Sequence, residues 1–280
     1  MPLVMFSKML QEFPVAEAAR RIKTLGFEGV DLTVRPGGHV RPETVGMDLP
    51  RAVAAIKDQG LSVPMITTAI TSATAPAAES TLAAAVHEDI RLVKLGYWNA
   101  PKGKLAASID RARRELDGLE RLADQYKVTL GLHNHSGPGY VNCQPAVLWT
   151  LLRDRDPDRI ASYFDPGHAA VEGGSGGWRQ SLELLGPRIR MVAVKDFGWT
   201  VVPGDPKPTW RPQQVPLRDG LVAWPEVFSA LAALRFAGPI SLHSEYKGPH
   251  SWRDLSTPEL IEQTAADLAF VKALMLQTER

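Results

Sequence analysis

The sequence predicts a single (β/α)8 barrel, a TIM barrel spanning residues 1–280. Three observations carry that expectation. Short β-rich runs alternate with longer segments of helical period along the whole chain, and eight such runs can be counted. Eight units in 280 residues match the roughly 250 residues plus insertions that this fold needs. Finally, TLGFEGVDL (24–32) and ALRFAGPISL (233–242) repeat a leucine, phenylalanine and glycine at matched spacing ahead of a strand, with the glycine expected to end the helix.

The elements follow in order. LVMFS (3–7) opens the chain as a bulky apolar strand, and PVAEAARRIKTLG supplies a helix opened by proline and closed by glycine. GVDLTV (29–34) is the second strand, and LPRAVAAIKDQG repeats the helix pattern. SVPMIT (62–67), IRLVKL (90–95), VTLGLH (128–133), IASYFD (160–165) and MVAVKD (191–196) are the third to seventh. The proline-rich stretch at 197–220 has no period and reads as a long loop folding over the barrel mouth. WPEVFSALAALRFAG then leads into the eighth strand, ISLHSE (240–245). An open doubly wound sheet is the competing fold, but MFSKMLQEFP after the first strand lacks its glycine-rich phosphate loop.

Composition narrows the partners. With 44% hydrophobic and 22% charged residues the chain can bury a large core. Thirty-two basic against 31 acidic side chains give a formal charge of +1, so neither nucleic acid nor an anionic membrane is an expected partner. The lone Cys143 excludes an internal disulfide framework, and MPLVMFSKML lacks the pattern of a secretory signal, so a reducing cytoplasm is expected. No segment reaches the roughly 18–20 apolar residues of a membrane span.

In a parallel barrel the reactive groups sit at the carboxyl ends of the strands, where alternate residues point inward. That parity brings Asp31, His133, Asp165, Lys195, His243 and Glu245 to one rim. A single buried histidine is most simply a hydrogen-bonded filler; six converging polar groups point to a site.

The order of strand-end signatures resembles the xylose-isomerase-like superfamily: HNH after strand five, DPGH (165–168) after strand six, VKD (194–196) after strand seven and LHSEY (242–246) after strand eight. That resemblance implies a divalent metal held by groups on strands five to eight, and a hydroxy-carbonyl substrate above it. It implies sugar isomerases, epimerases and dehydratase-like lyases as the activities. The family's apurinic endonucleases need a basic face and many metal ligands, which this composition does not offer. Three of four ligand positions depart from the family pattern. His133 stands where the family has glutamate, Ala193 replaces the strand-seven histidine, and His243 replaces the strand-eight glutamate, while Asp165 is kept.

Two outcomes follow. Either His133, Asp165 and His243, with His168 or Glu245 added, hold manganese, cobalt, iron or zinc, which tolerate mixed nitrogen and oxygen ligands, or Lys195 is an inward cation that replaces the metal in a sugar-binding barrel. Both glutamates that serve the family as acid and base are missing, so Glu245, Glu172 or a histidine such as His135 must take that part, with Lys195 beside them. For the substrate, Asp31 lies on the rim, and Arg35 and His39 lie on the loop after strand two, where Arg35 suits a carboxylate or phosphate. Tyr97 and Trp98 follow strand four, and Trp178, Trp199 and Trp210 are expected on neighbouring loops, where indole faces stack on sugar rings or form a subunit interface. AAVEGGSGGW (169–178) reads as a mobile lip that carries Glu172. His87 reads as a surface residue, His250, just past strand eight, as structural, Cys143 as packing, and Lys94, by one of two strand parities, as a second inward cation.

Overall fold

The computed structural model describes residues 1–204 and 206–278; Asp205, inside the proline-rich stretch, and the last two residues lie outside the described residues. Eight parallel strands close into a barrel: β1 (Leu3–Phe6), β2 (Gly29–Val34), β3 (Ser62–Thr68), β4 (Leu92–Lys94), β5 (Thr129–His133), β6 (Ile160–Phe164), β7 (Ile189–Val194) and β10 (Ile240–Leu242). Neighbours follow chain order, and β1 closes the ring against β10. Helices α1 (Val15–Leu25), α2 (Val45–Lys57), α3 (Ala78–His87), α4 (Leu105–Tyr126), α5 (Pro145–Leu152), α6 (Pro166–Leu185), α7 (Trp224–Ala233) and α8 (Thr257–Thr278) follow the barrel strands. Among the described residues no helix is long and apolar enough to cross a membrane.

Burial follows the strand parity. Val30 and Leu32 of β2, Leu130 and Leu132 of β5, and Val192 and Val194 of β7 face the helices and join one continuous apolar layer. Inside the barrel a small separate cluster of Met65, Tyr163, Met191 and Ala193 fills the base. Gly131 makes room for it, because a Cβ there would lie 2.1 Å from Met191 Cε. Above this plug the lumen turns polar.

Three expectations need correction. The stretch after β7 is not an irregular loop: β8 (Asp196–Val202) and β9 (Thr209–Val215) form an antiparallel hairpin. Its arms are β-rich, and Pro212 is tolerated because a two-stranded ribbon leaves one side of each strand unpaired. The expected lip at 169–178 is helical instead, forming part of α6 with a kink at Gly174 (φ 61°, ψ −155°). The repeated glycines do not end helices either. The left-handed positions are Gly26 and Arg235, each just before the phenylalanine. Gly29 and Gly238 serve close approach, since a Cβ would fall 2.6 Å from the Ser62 carbonyl oxygen and 2.1 Å from that of Arg190.

Candidate active site

The site begins with DPGH. Asp165 caps α6 by accepting the His168 backbone N–H at 2.9 Å, and Pro166 takes the first helical position, where no donor is needed. Gly167 is fixed by space: a Cβ would lie 2.3 Å from the Lys195 backbone oxygen. This tight corner turns the second oxygen of Asp165 into the lumen and puts the His168 ring beside it.

Three cationic or imidazole groups converge on that one oxygen. His133 Nε2 lies 3.0 Å from Asp165 Oδ2, Lys195 Nζ 3.6 Å and His168 Nε2 3.8 Å. Lys195 also donates to Glu245 at 3.0 Å. Glu245 accepts further bonds from Lys8 and from Gln214, the latter at 3.2 Å. Burial alone would lower the pKa of Lys195, but the carboxylates of Glu245 and Asp165 outweigh it and raise it. Burial likewise raises Glu245, yet Lys195, Lys8 and the neighbouring donors hold it well below the ordinary carboxylate range. Glu245 is therefore a charged clamp on the lysine.

The surroundings of the imidazoles disfavour positive charge. Burial pushes His133, His168 and His243 well below their usual pKa, with Lys195 the next largest cause, and lowers His135 to about 4. Three of the rings are oriented by a hydrogen bond at Nδ1. Tyr97 Oη lies 2.6 Å from His133 Nδ1, and Ser136 Oγ 2.8 Å from His168 Nδ1. His135 Nδ1 donates to its neighbour's carbonyl, Ser136 O, at 2.9 Å. These bonds leave the His168 Nε2 buried without a partner. Lys94 is inward and buried, its ammonium 3.6 Å from the Tyr97 ring centroid. A cavity of about 490 Å³ opens above, lined by His135, His168, Lys195, Phe197, Gln214 and Glu245 among others.

The donor set suits a divalent ion. His133, Asp165 and His168 offer ligand atoms within 4.8 Å of one another. The orphaned His168 Nε2 points at the shared carboxylate, and hydroxyls occupy the far nitrogens as partners of ligating imidazoles do. The histidine that completes this group is His168 rather than His243. His243 lies deeper, stacked on Phe6 and 2.8 Å from the Tyr163 hydroxyl, with Asp31 beneath it at 3.9 Å.

The other expected site residues divide by place. Asp31 sits under the site, accepting from Thr67, Tyr163 and Ser241, and burial raises its pKa to about 6. Arg35 lies over the Phe6 ring at 5.6 Å from the centroid, on the mouth side. His39 lies behind β2, held by Ser7, Thr33 and the Leu10 carbonyl against α1, because the glycine-rich loop folds back on itself. Trp98 and Trp178 are buried in the apolar layer and offer no stacking face. Glu172 lies on α6 and braces the loop after β5, accepting from Gly137 N at 2.7 Å and Gln144 at 3.0 Å. Glu245 reaches the lumen by a tight turn, its N–H bonded to the His243 carbonyl, since β10 ends at Leu242. His250, expected to be structural, lines the cavity instead, and His87 is an exposed surface residue as expected. The sequence reading missed Lys8, Ser136, Tyr140 and Gln214, which line the cavity, and Tyr163 beneath it. Tyr163 shared the inward parity of Asp165 and was open to detection; Gln214 and Ser136 carried no signal.

Comparison with known proteins places this architecture. The sequence matches the family described as xylose isomerase-like TIM barrel over residues 19–274. The chain belongs to that family. No curated protein matches the sequence at a significant level. Among solved structures it is similar to a D-psicose 3-epimerase studied in the presence of D-fructose, with a TM-score of 0.73 and 16% identity over 98% of this chain and 99% of that one. A 3-keto-D-glucoside 4-epimerase from E. coli superposes with a TM-score of 0.70 at 14% identity, over 98% and 99% of the two chains. A xylose isomerase-like barrel from Mycobacterium smegmatis in complex with magnesium gives 0.66 at 15%, over 98% and 97%. Such identities carry the fold; chemistry must come from the site.

Proposed function

We propose that this member of the xylose isomerase-like family is a sugar or polyol isomerase or epimerase that moves a proton on the carbon next to a carbonyl. The observation that carries the reading is the convergence of His133, His168 and Lys195 on one oxygen of buried Asp165, at the floor of an open cavity. Such a reaction needs a fixed positive charge where an oxyanion develops and a neutral base beside it. Lys195, kept protonated by two carboxylates, supplies the charge. His135 lines the cavity with its Nδ1–H committed to Ser136, which leaves Nε2 to accept the proton. A divalent manganese, cobalt, iron or zinc ion held by His133, Asp165 and His168 would polarise the substrate carbonyl and stabilise charge on its oxygen. Tyr97 orients His133 from the side of β4, and Arg35 lies over Phe6 beside β2. A keto-sugar dehydratase would use the same groups, with water lost in place of proton return.

A second reading is favoured by Lys195 itself, whose ammonium already neighbours the carboxylate that an ion would share. In that reading the barrel works, or only binds sugar, without metal. One experiment separates the cases: solvent deuterium exchange into a panel of keto-sugars, with and without manganese, for the parent and Lys195→Met, alongside calorimetric titration of manganese. The metal reading expects exchange that manganese stimulates, and about tenfold tighter manganese binding in the variant, because a neighbouring positive charge is gone. Metal-independent exchange abolished in the variant selects the lysine reading. Absence of exchange with every sugar, with or without manganese, overturns the proposed activity.

A further inference from the structure

The wall of the cavity continues beyond the mouth. In the β8–β9 hairpin Phe197 pairs with Gln214, Trp199 with Pro212, and Val201 with Trp210. Directly opposed residues at period two share one face of a ribbon, so these six side chains form a single surface. Its inner part, Phe197, Gln214 and Pro212, lines the cavity beside His135, His168 and Glu245. Its outer part is apolar and open: Trp199 is 44% exposed, Val201 45% and Trp210 67%. From Phe197 to Val201 the face runs roughly 13 Å at the rise of a strand, more than one sugar ring occupies.

The base of the hairpin is pinned. Asp196 accepts from the backbone N–H groups of Phe197 at 2.8 Å and Leu221 at 2.9 Å, and from the Trp224 indole at 2.8 Å, which fixes the ribbon to the start of α7. The aromatic face is thus presented in a set direction, continuous with the reacting cavity. Two exposed tryptophans and a valine on an isolated ribbon are an unfavourable surface to leave wet.

We infer that this face is a second binding subsite for a group attached to the reacting sugar, and that the substrate class is therefore a glycoside or disaccharide. The reacting ring lies over Lys195 and His135, and the distal ring lies against Trp199 and Trp210, which offer flat apolar contact with little side-chain entropy to lose. This rests on the sugar chemistry proposed above and narrows it.

The test is calorimetry on the full-length protein with phenyl β-D-glucoside and methyl β-D-glucoside, and with cellobiose against glucose, repeated for Trp199→Ala/Trp210→Ala. Circular dichroism checks that the variant is folded. The larger member of each pair is expected to bind at least tenfold more tightly to the parent, and that ratio is expected to fall to near one in the variant. A ratio near one in the parent, or no binding of any of the four, overturns the subsite. If keto-sugars still exchange with solvent in that case, the subsite alone has failed; if they do not, the activity has failed with it. Size-exclusion chromatography supplies the other occupant. A parent dimer that becomes monomeric in the variant while the ratio persists assigns the face to a second copy of the chain and overturns the inference.

Discussion

Tyr97 shows how one hydroxyl can serve two states of a site. Its oxygen is 2.6 Å from His133 Nδ1, and a phenol both donates and accepts. When His133 donates from Nε2 to Asp165, Tyr97 donates to Nδ1; when Nε2 is needed as a lone pair, Nδ1–H donates to Tyr97. Removing the hydroxyl leaves the ring without an anchor. Tyr97→Phe is expected to weaken manganese binding by about 10–100-fold, the usual cost of losing such a partner, with the far-ultraviolet spectrum unchanged; calorimetry checks it. Much of the polar floor was legible at this scale, because strand ends at period two bring His133, Asp165 and Lys195 inward. His168 as the third group at Asp165 was only half legible: DPGH announced the pair, but the turn of α6 set its reach.

At the level of elements, α6 joins two helical pieces across Gly174, whose φ of 61° and ψ of −155° belong to a region that only glycine occupies freely. Nothing lies within 4 Å of the position a Cβ would take, so a substitution there meets backbone strain alone. Gly174→Ala is expected to lower the unfolding free energy by about 1–3 kcal/mol, read from urea denaturation. No effect would mean that the kink relaxes at no cost. Glycine and proline misled the sequence reading at this scale. The run around Glu172 is helical because a single glycine absorbs the break. The prolines of 197–220 flank or edge a hairpin whose arms pair through Trp199, Val201 and their partners. Local composition records where the chain bends, whereas pairing is decided by which partner segment lies opposite.

Across the whole molecule, Asp267 of α8 ties the last helix to the barrel. It accepts from the Tyr246 hydroxyl at 2.6 Å and from the Leu217 backbone N–H at 3.2 Å. Burial raises its pKa to about 6, against the opposing effect of these donors. A carboxyl whose folded pKa exceeds its unfolded value stabilises fully below pH 4 and loses that contribution as pH rises through about 6. Asp267→Asn removes the titration. On going from pH 4 to pH 7, stability of the variant relative to the parent is expected to shift in its favour by about 2–3 kcal/mol, measured by denaturation at each pH. A pH-independent difference would mean that folding does not raise the pKa of Asp267.

The alternation of strand and helix periods, eight times over, fixed the barrel from sequence alone, because burial on both faces of a parallel strand and on one face of each covering helix leaves a regular apolar signature. Parity at the strand ends likewise specified which side chains enter the lumen. Tertiary structure decided what that signature cannot hold: which of several inward groups come within reach of one carboxylate oxygen, which tryptophans are buried and which line an open face, and that Lys8 and Gln214 reach Glu245 from distant parts of the chain. Distances across a closed ring depend on register and on turns of single residues. Those are set by contacts between segments far apart in the chain, which no local pattern records.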